Sequence, residues 1–318
     1  MPRRLWGCWA RGGWVFAHWV LACWVLALVA VASGSATAAP EEPITPLPVA
    51  PQADPLKISL GARLFAEPRL SGNNARSCTT CHNLARNGAS PARFDMTPRG
   101  ATLVFNTTTV FNSALNFRLG WEGKYRTLEA QISALLADPN IMNCPVESCV
   151  AKLATDPTLR GEFEAAYGRG PDAAAVVDAL ATFERSLITT GSRFDRWLEG
   201  DAGALSAQEL EGYRLFKSLG CVACHQGVNV GGNLYQLHGI FHPLARPDPA
   251  ILRVPSLRNV ATTPPYFHDG SAPTLQVAVR QMGIAQLNST LTDSQVESIV
   301  AFLQTLTGLY QGKPVTGP

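Results

Sequence analysis

Two pentapeptides carry the chemistry of this chain: Cys78-Thr79-Thr80-Cys81-His82 and Cys221-Val222-Ala223-Cys224-His225. Cysteines three apart with a histidine directly after the second is the spacing of a c-type haem attachment site. The thiols form thioethers to the two vinyl groups, and the histidine is placed to ligate iron from one face. A single copy would also suit a zinc site or a redox dithiol. Two copies in one chain point to two covalent haems. Cys78, Cys81, Cys221 and Cys224 are then the attachment points, and His82 and His225 the iron ligands.

The chain has 318 residues, 46% of them hydrophobic, and a formal net charge of +2. That length suits one or two domains. The near-neutral balance, with no basic run, gives no sign of nucleic-acid binding. Residues 1–38 read as a leader. Arg3, Arg4 and Arg11 precede an apolar stretch from Trp14 to Ala32, and Ala36-Thr37-Ala38 offers a small-x-small cleavage site. The apolar stretch is long for a cleaved signal, so an uncleaved membrane anchor is the alternative. Export fits haem attachment outside the cytoplasm, and the expected compartment is the periplasm. Of eight cysteines, four belong to the motifs, and Cys8 and Cys23 to the leader. Cys144 and Cys149 remain, and in an oxidising compartment they are expected to pair locally.

The elements that must position the motifs read as helical. Residues 39–54 are Pro-rich and read as a linker. After them, Val176, Leu180, Phe183 and Leu187 share one helical face. Ser206-x-x-Glu209 and Thr292-x-x-Gln295 are capping boxes that open helices. No alternating run suggests a strand, and the Gly- and Pro-rich stretch from Gly227 to Pro255 reads as loop. Leu64-Phe65 before the first motif and Leu215-Phe216 before the second mark an internal duplication. The expected organisation is a domain over 55–200 and another over 201–318, one motif in each.

Longer strings carry a family resemblance: Leu64-Phe-Ala-Glu-Pro-Arg-Leu-Ser71, Phe183-Glu-Arg-Ser-Leu187, Val254-Pro-Ser-Leu-Arg-Asn-Val260, Pro265-Tyr-Phe-His-Asp-Gly270 and Ala301-Phe-Leu-Gln-Thr-Leu-Thr-Gly308. With these the chain resembles the bacterial di-haem cytochrome c peroxidases, whose relatives include the MauG-type enzymes, from about Leu60 to Gly308. The resemblance implies an all-α protein of two cytochrome c-like domains. The N-terminal one would be peroxidatic and the C-terminal one the electron-entry site. Met282 then matches the second axial ligand opposite His225. From its helix alone it reads equally well as core packing. A Met/His pair raises a haem potential, and MauG-type enzymes carry a Tyr there instead. Trp121, in Gly120-Trp-Glu-Gly-Lys124, matches the electron-relaying tryptophan between the haems. Asn106, Thr263 and Pro265 match a Ca²⁺ site, the last two through backbone carbonyls.

Two positions depart from the family. Many members place a distal histidine where this chain has Pro98, and here no other histidine follows His82 before the second motif. The resemblance then implies an iron open on its distal side. The family's distal pattern is Leu-Glu-x-Gln, then Pro, then Glu-Met. This chain keeps Leu128-Glu129-Ala130-Gln131, has Leu135 at the Pro position, and ends in Ile141-Met142. Isoleucine cannot move a proton between peroxide oxygens, help worth roughly 10²–10⁴ in rate. Gln131 can hold peroxide by hydrogen bonds only. Glu129 and Asp138 nearby read as solvated helix residues, and His238 and His242 as loop residues.

The leading expectation is a periplasmic peroxidase that reduces H₂O₂ to water with electrons from a small cytochrome c or cupredoxin. A MauG-like oxidase acting on a partner protein is the second reading; Pro98 fits it and Met282 does not. A non-enzymatic electron carrier or redox sensor is the third, favoured by Ile141. Family members are often homodimers, which is expected here only through the resemblance.

Overall fold

A computed structural model describes residues 42–246 and 248–318. The expected leader lies outside the described residues; among the described residues no helix is long and apolar enough to cross a membrane. Helices dominate: α1 (Pro55–Phe65), α2 (Leu128–Ala137), α3 (Val146–Leu153), α4 (Pro157–Tyr167), α5 (Ala173–Ser186), α6 (Arg193–Leu198), α7 (Ala207–Ser218), α8 (Leu275–Leu287) and α9 (Asp293–Gln304). Their starts are chemically set. The Asp54, Thr127, Asp172 and Thr274 side chains accept backbone N–H groups of the first turn. Both expected capping boxes form, at Ser206/Glu209 and Thr292/Gln295.

The same helix crossing occurs twice. In the first half, Gly61 of α1 lies against α5, and a Cβ there would overlap the Ala179 carbonyl and Phe183. In the second half, Gly212 of α7 lies against α9, and a Cβ would overlap the Ser298 carbonyl and Phe302. Each crossing is followed by an aromatic pair, Phe65–Phe183 at 5.4 Å and Phe216–Phe302 at 5.2 Å. Phe65 and Phe216 then face the motif histidine of their own half, at 6.3 Å from His82 and 6.4 Å from His225. The duplication visible as Leu-Phe in the sequence is therefore a duplication of packing.

Two apolar cores result. One gathers α1–α5, with Leu64, Leu153, Phe163 and Val176 fully buried. The other gathers α6–α9, with Phe194, Val296 and Phe302 fully buried. The ends of the described chain cross between them. Ile44, in the stretch read as linker, is 1% exposed and belongs to the second core, where the Pro43 carbonyl accepts from Gly227 N–H. Val315 and Tyr310, near the C-terminus, pack on the first core.

Two short antiparallel ribbons interrupt the helical fold: β1 (Tyr235–Leu237) with β2 (Ile251–Arg253), and β3 (Leu309–Tyr310) with β4 (Lys313–Pro314). The first lies inside the stretch read as loop. At three residues a strand it is too short for alternation to be visible in the sequence. Cys144 and Cys149 are disulfide-paired across one turn, their Cα atoms 5.8 Å apart.

Candidate functional site

Both pentapeptides fold as the same tight turn. A 3₁₀ turn spans Cys78–Thr80 and another Cys221–Ala223. In each, the second cysteine and the histidine donate their N–H groups back to the first cysteine's carbonyl, at 3.2 and 2.9 Å in the first turn and 3.2 and 3.0 Å in the second. Residues i, i+3 and i+4 thus share one side of the turn. All six motif residues line one continuous cavity of about 590 Å³.

The histidines are prepared as ligands. His82 Nδ1 lies 2.9 Å from the Gly88 carbonyl, and His225 Nδ1 lies 3.4 Å from the Val230 carbonyl. A carbonyl only accepts, so in both rings Nδ1 carries the proton and Nε2 keeps its lone pair. Burial holds His82 below the usual imidazole range and pushes His225 down to about 4. Both are neutral at pH 7, the form that ligates metal. The thiols separate the haem reading from the others. Burial pushes Cys78 and Cys81 up to about 12 and Cys221 to about 11. A redox dithiol needs a lowered thiol pKa, whereas thioether attachment requires that the sulfurs reach the cavity, and all four do. Among the described residues no cluster of three or more His, Cys, Asp or Glu could hold a bare metal ion. The residues present fit a haem c at each turn.

Met282 lies on α8, whose Leu275, Ala278, Val279, Met282 and Gln286 form one cavity-lining face. The same cavity is lined by His225. On the N-terminal side, Gln131 and Leu135 of α2 line the wall, followed by Ile141 and Met142 just beyond the helix. Glu129 does not line the cavity; it pairs with Arg185 of α5. Asp138 caps the end of α2 and accepts from Asn140 N–H. The acid–base gap expected at Ile141 is thus not filled from α2.

Trp121 and Asn106 are joined: the indole Nε1–H donates to the Asn106 carbonyl at 2.8 Å. Asn106 in turn anchors its amide nitrogen on the Ala92 and Arg93 carbonyls, at 3.0 and 3.3 Å, and no donor among the described residues reaches its Oδ1. Asn106, Thr263 and Pro265 all line the cavity.

Sequence reasoning missed three cavity-lining groups. His268, inside the quoted Pro265–Gly270 string, is 2% exposed, and its ring lies 6.2 Å from Trp121 and 4.7 Å from His238. His238 is no free loop residue: Nε2–H donates to the Pro249 carbonyl at 2.9 Å, and Nδ1 is buried without a partner. His242, in contrast, is exposed and bonds Asn288. The third group is Glu184, from the Phe183–Leu187 string, whose carboxyl burial pushes up to about 7. Its signal was present: Val176, Leu180 and Glu184 are four apart, which sets an acid on an apolar helix face.

Known proteins resemble this chain over both halves. The family profile described as di-haem cytochrome c peroxidase matches residues 55–203, and the cytochrome c profile matches residues 210–307. The chain is 39% identical to the cytochrome c551 peroxidase of Nitrosomonas europaea, over 88% of this chain and 89% of that one. It is 37% identical to a cytochrome c peroxidase of Escherichia coli over 87% of its length, and spans 64% of that longer protein. Among solved structures, a MauG-like protein associated with microbial copper homeostasis superposes with a TM-score of 0.68 at 28% identity, covering 86% of this chain and 95% of that one.

Proposed function

The chain belongs to the di-haem cytochrome c peroxidase family, and from that membership we propose that it is a periplasmic peroxidase that reduces H₂O₂ to water. The electrons come from a small cytochrome c or cupredoxin. Each peroxide takes two electrons and two protons and yields two waters. The observation that carries this reading is the pair of matching turns on one cavity, each histidine held neutral with Nε2 free. Two haem c groups, when bound, supply the one-electron storage and the peroxide-reducing iron.

The chain's own residues do the rest. Cys78 and Cys81 in one turn, and Cys221 and Cys224 in the other, would hold the groups covalently. Their Nδ1–H bonds to Gly88 and Val230 orient His82 and His225 and raise their basicity as ligands. Met282, on the cavity face of α8, would be the second protein ligand of the C-terminal haem, and a Met/His pair would favour electron entry there. The Trp121 ring lines the cavity with its N–H already satisfied, so it offers its π-system as a relay. The Gln131 amide holds peroxide but gives up no proton at neutral pH. Asn106 Oδ1 and the Thr263 and Pro265 carbonyls would supply oxygen ligands of the kind Ca²⁺ takes.

Steady-state oxidation of reduced cytochrome c by H₂O₂ tests this on the haem-loaded protein. Turnover well above the blank supports it, and turnover at the blank rate overturns it. Pro98 favours a second reading, oxidation of a partner protein as in MauG-type enzymes. A peroxide-oxidised state that persists with cytochrome c and decays only with a partner protein would select it.

A further inference from the structure

Glu184 is the one acidic side chain lining the cavity among the described residues. It sits on α5 one turn after Leu180, which lines the cavity as well. Its neighbour Arg185 pairs with Glu129 on α2, and among the described residues no hydrogen bond or ion pair reaches the Glu184 carboxylate. An unpaired carboxylate on a largely apolar wall costs stability, so packing does not account for it.

The duplicated frame provides an internal comparison. Gly61 crosses α5 at Ala179 and Phe183, and Gly212 crosses α9 at Ser298 and Phe302. The crossing aligns Leu180 with Ile299 and Glu184 with Leu303, and all four line the cavity. A leucine therefore fills this place in the frame. Only the half around Cys78 carries an acid.

The groups facing Glu184 are few. Cys78 of the motif turn, Glu129 of α2 and Arg185 of its own helix act on it. From α1, Lys57 and Arg63 pair with Asp178 and Glu162, outside the cavity lining. From α3, Lys152 is held by the Ser71 and Gly72 carbonyls, and Glu147 is exposed. Only Arg185, itself paired with Glu129, offsets the carboxylate, and burial brings it to about 7. An added negative charge nearby raises its proton affinity further.

We propose that Glu184 is the proton-holding residue of the N-terminal site. It takes one proton from solvent as one electron arrives at the group held by Cys78, Cys81 and His82, and returns it as that electron leaves. The electron comes from the one-electron donor, which is oxidised, and the site's net charge is conserved. This rests on the reading that a haem c is bound there.

Redox titration of the haem-loaded protein, followed by visible absorption on either side of the carboxyl's about 7, tests it. The N-terminal transition is the one that Met282→Leu leaves in place. Its midpoint potential is expected to fall with rising pH in the wild type. It should be flat over that range in Glu184→Gln and in Glu184→Leu, the second being the residue the other half carries. An unchanged slope in either loaded variant overturns the proposal. Infrared difference spectra of the wild type need no variant: a protonated carboxyl band should appear on reduction, and its absence at pH above about 7 also overturns it. Wild-type protein without haem absorption would overturn the haem reading instead.

Discussion

Ile141 and Glu184 divide the acid–base chemistry of the N-terminal site between an absence and a presence. Ile141 stands on the cavity wall, at the position where the resemblance implies a glutamate, so a carboxyl placed there meets the same space. Ile141→Glu is expected to raise peroxide turnover by about 100-fold, the low side of general acid–base help, in the cytochrome c oxidation assay. No change, or a fall, would count against this account of the wall. Glu184 also sets a pH dependence of stability. Burial raises its carboxyl from 4.5 to about 7, so between those values the folded protein binds more protons than the unfolded chain. The stability tied to this group is therefore full below 4.5 and lost as pH rises through about 7. Glu184→Gln should raise the melting temperature more on the alkaline side of that window than on the acid side; equal shifts on both sides would refute it. At this scale the motif cysteines and histidines were legible, because their spacing alone sets one side of a turn. Glu184 and His268 sat inside quoted strings, but their roles depend on what the helix face or loop turns toward.

The helix crossing is the unit that repeats, and its glycines are where it can be broken. Gly212 lies against the Ser298 carbonyl, a backbone atom that cannot rotate aside. Gly212→Ala gains up to about 1 kcal/mol in helix propensity but forces α7 and α9 apart. A net loss of about 1–3 kcal/mol is expected by denaturant unfolding. Gly161, in α4, has open space where its Cβ would go, and Gly161→Ala should stabilise by about 0.5–1 kcal/mol. If both substitutions moved stability in the same direction, close approach would not be what distinguishes them. Helix starts were readable from Ser206/Glu209 and Thr292/Gln295 because caps are local. The β1–β2 ribbon was not, since its pairing is tertiary and its strands too short for a period.

Across the whole molecule, the two ends of the described chain tie the two cores together. Residues 43–47 read as linker from their prolines, yet Ile44 is 1% exposed in the second core. The Thr45 carbonyl accepts from Arg258, a fully buried guanidinium that also pairs with Asp195 at 2.7 Å. Ile44→Ala is expected to cost about 2–4 kcal/mol. Val49, five residues on and 83% exposed, should tolerate alanine within about 0.5 kcal/mol. Chemical denaturation of both variants checks this, and equal effects would return the whole stretch to the status of a linker.

By itself the sequence determined the two attachment motifs, the family, the helical class and the two departures at Pro98 and Ile141. These are properties of residue type and short spacing, which one turn of chain expresses. The tertiary structure decided that both motifs open on a single cavity and that Trp121, Asn106 and His268 meet along it. It also decided that the chain's ends exchange cores and that one acid faces the space where the matching half has a leucine. Each of those depends on which faces of distant helices meet, and contacts between distant segments leave no local period to read.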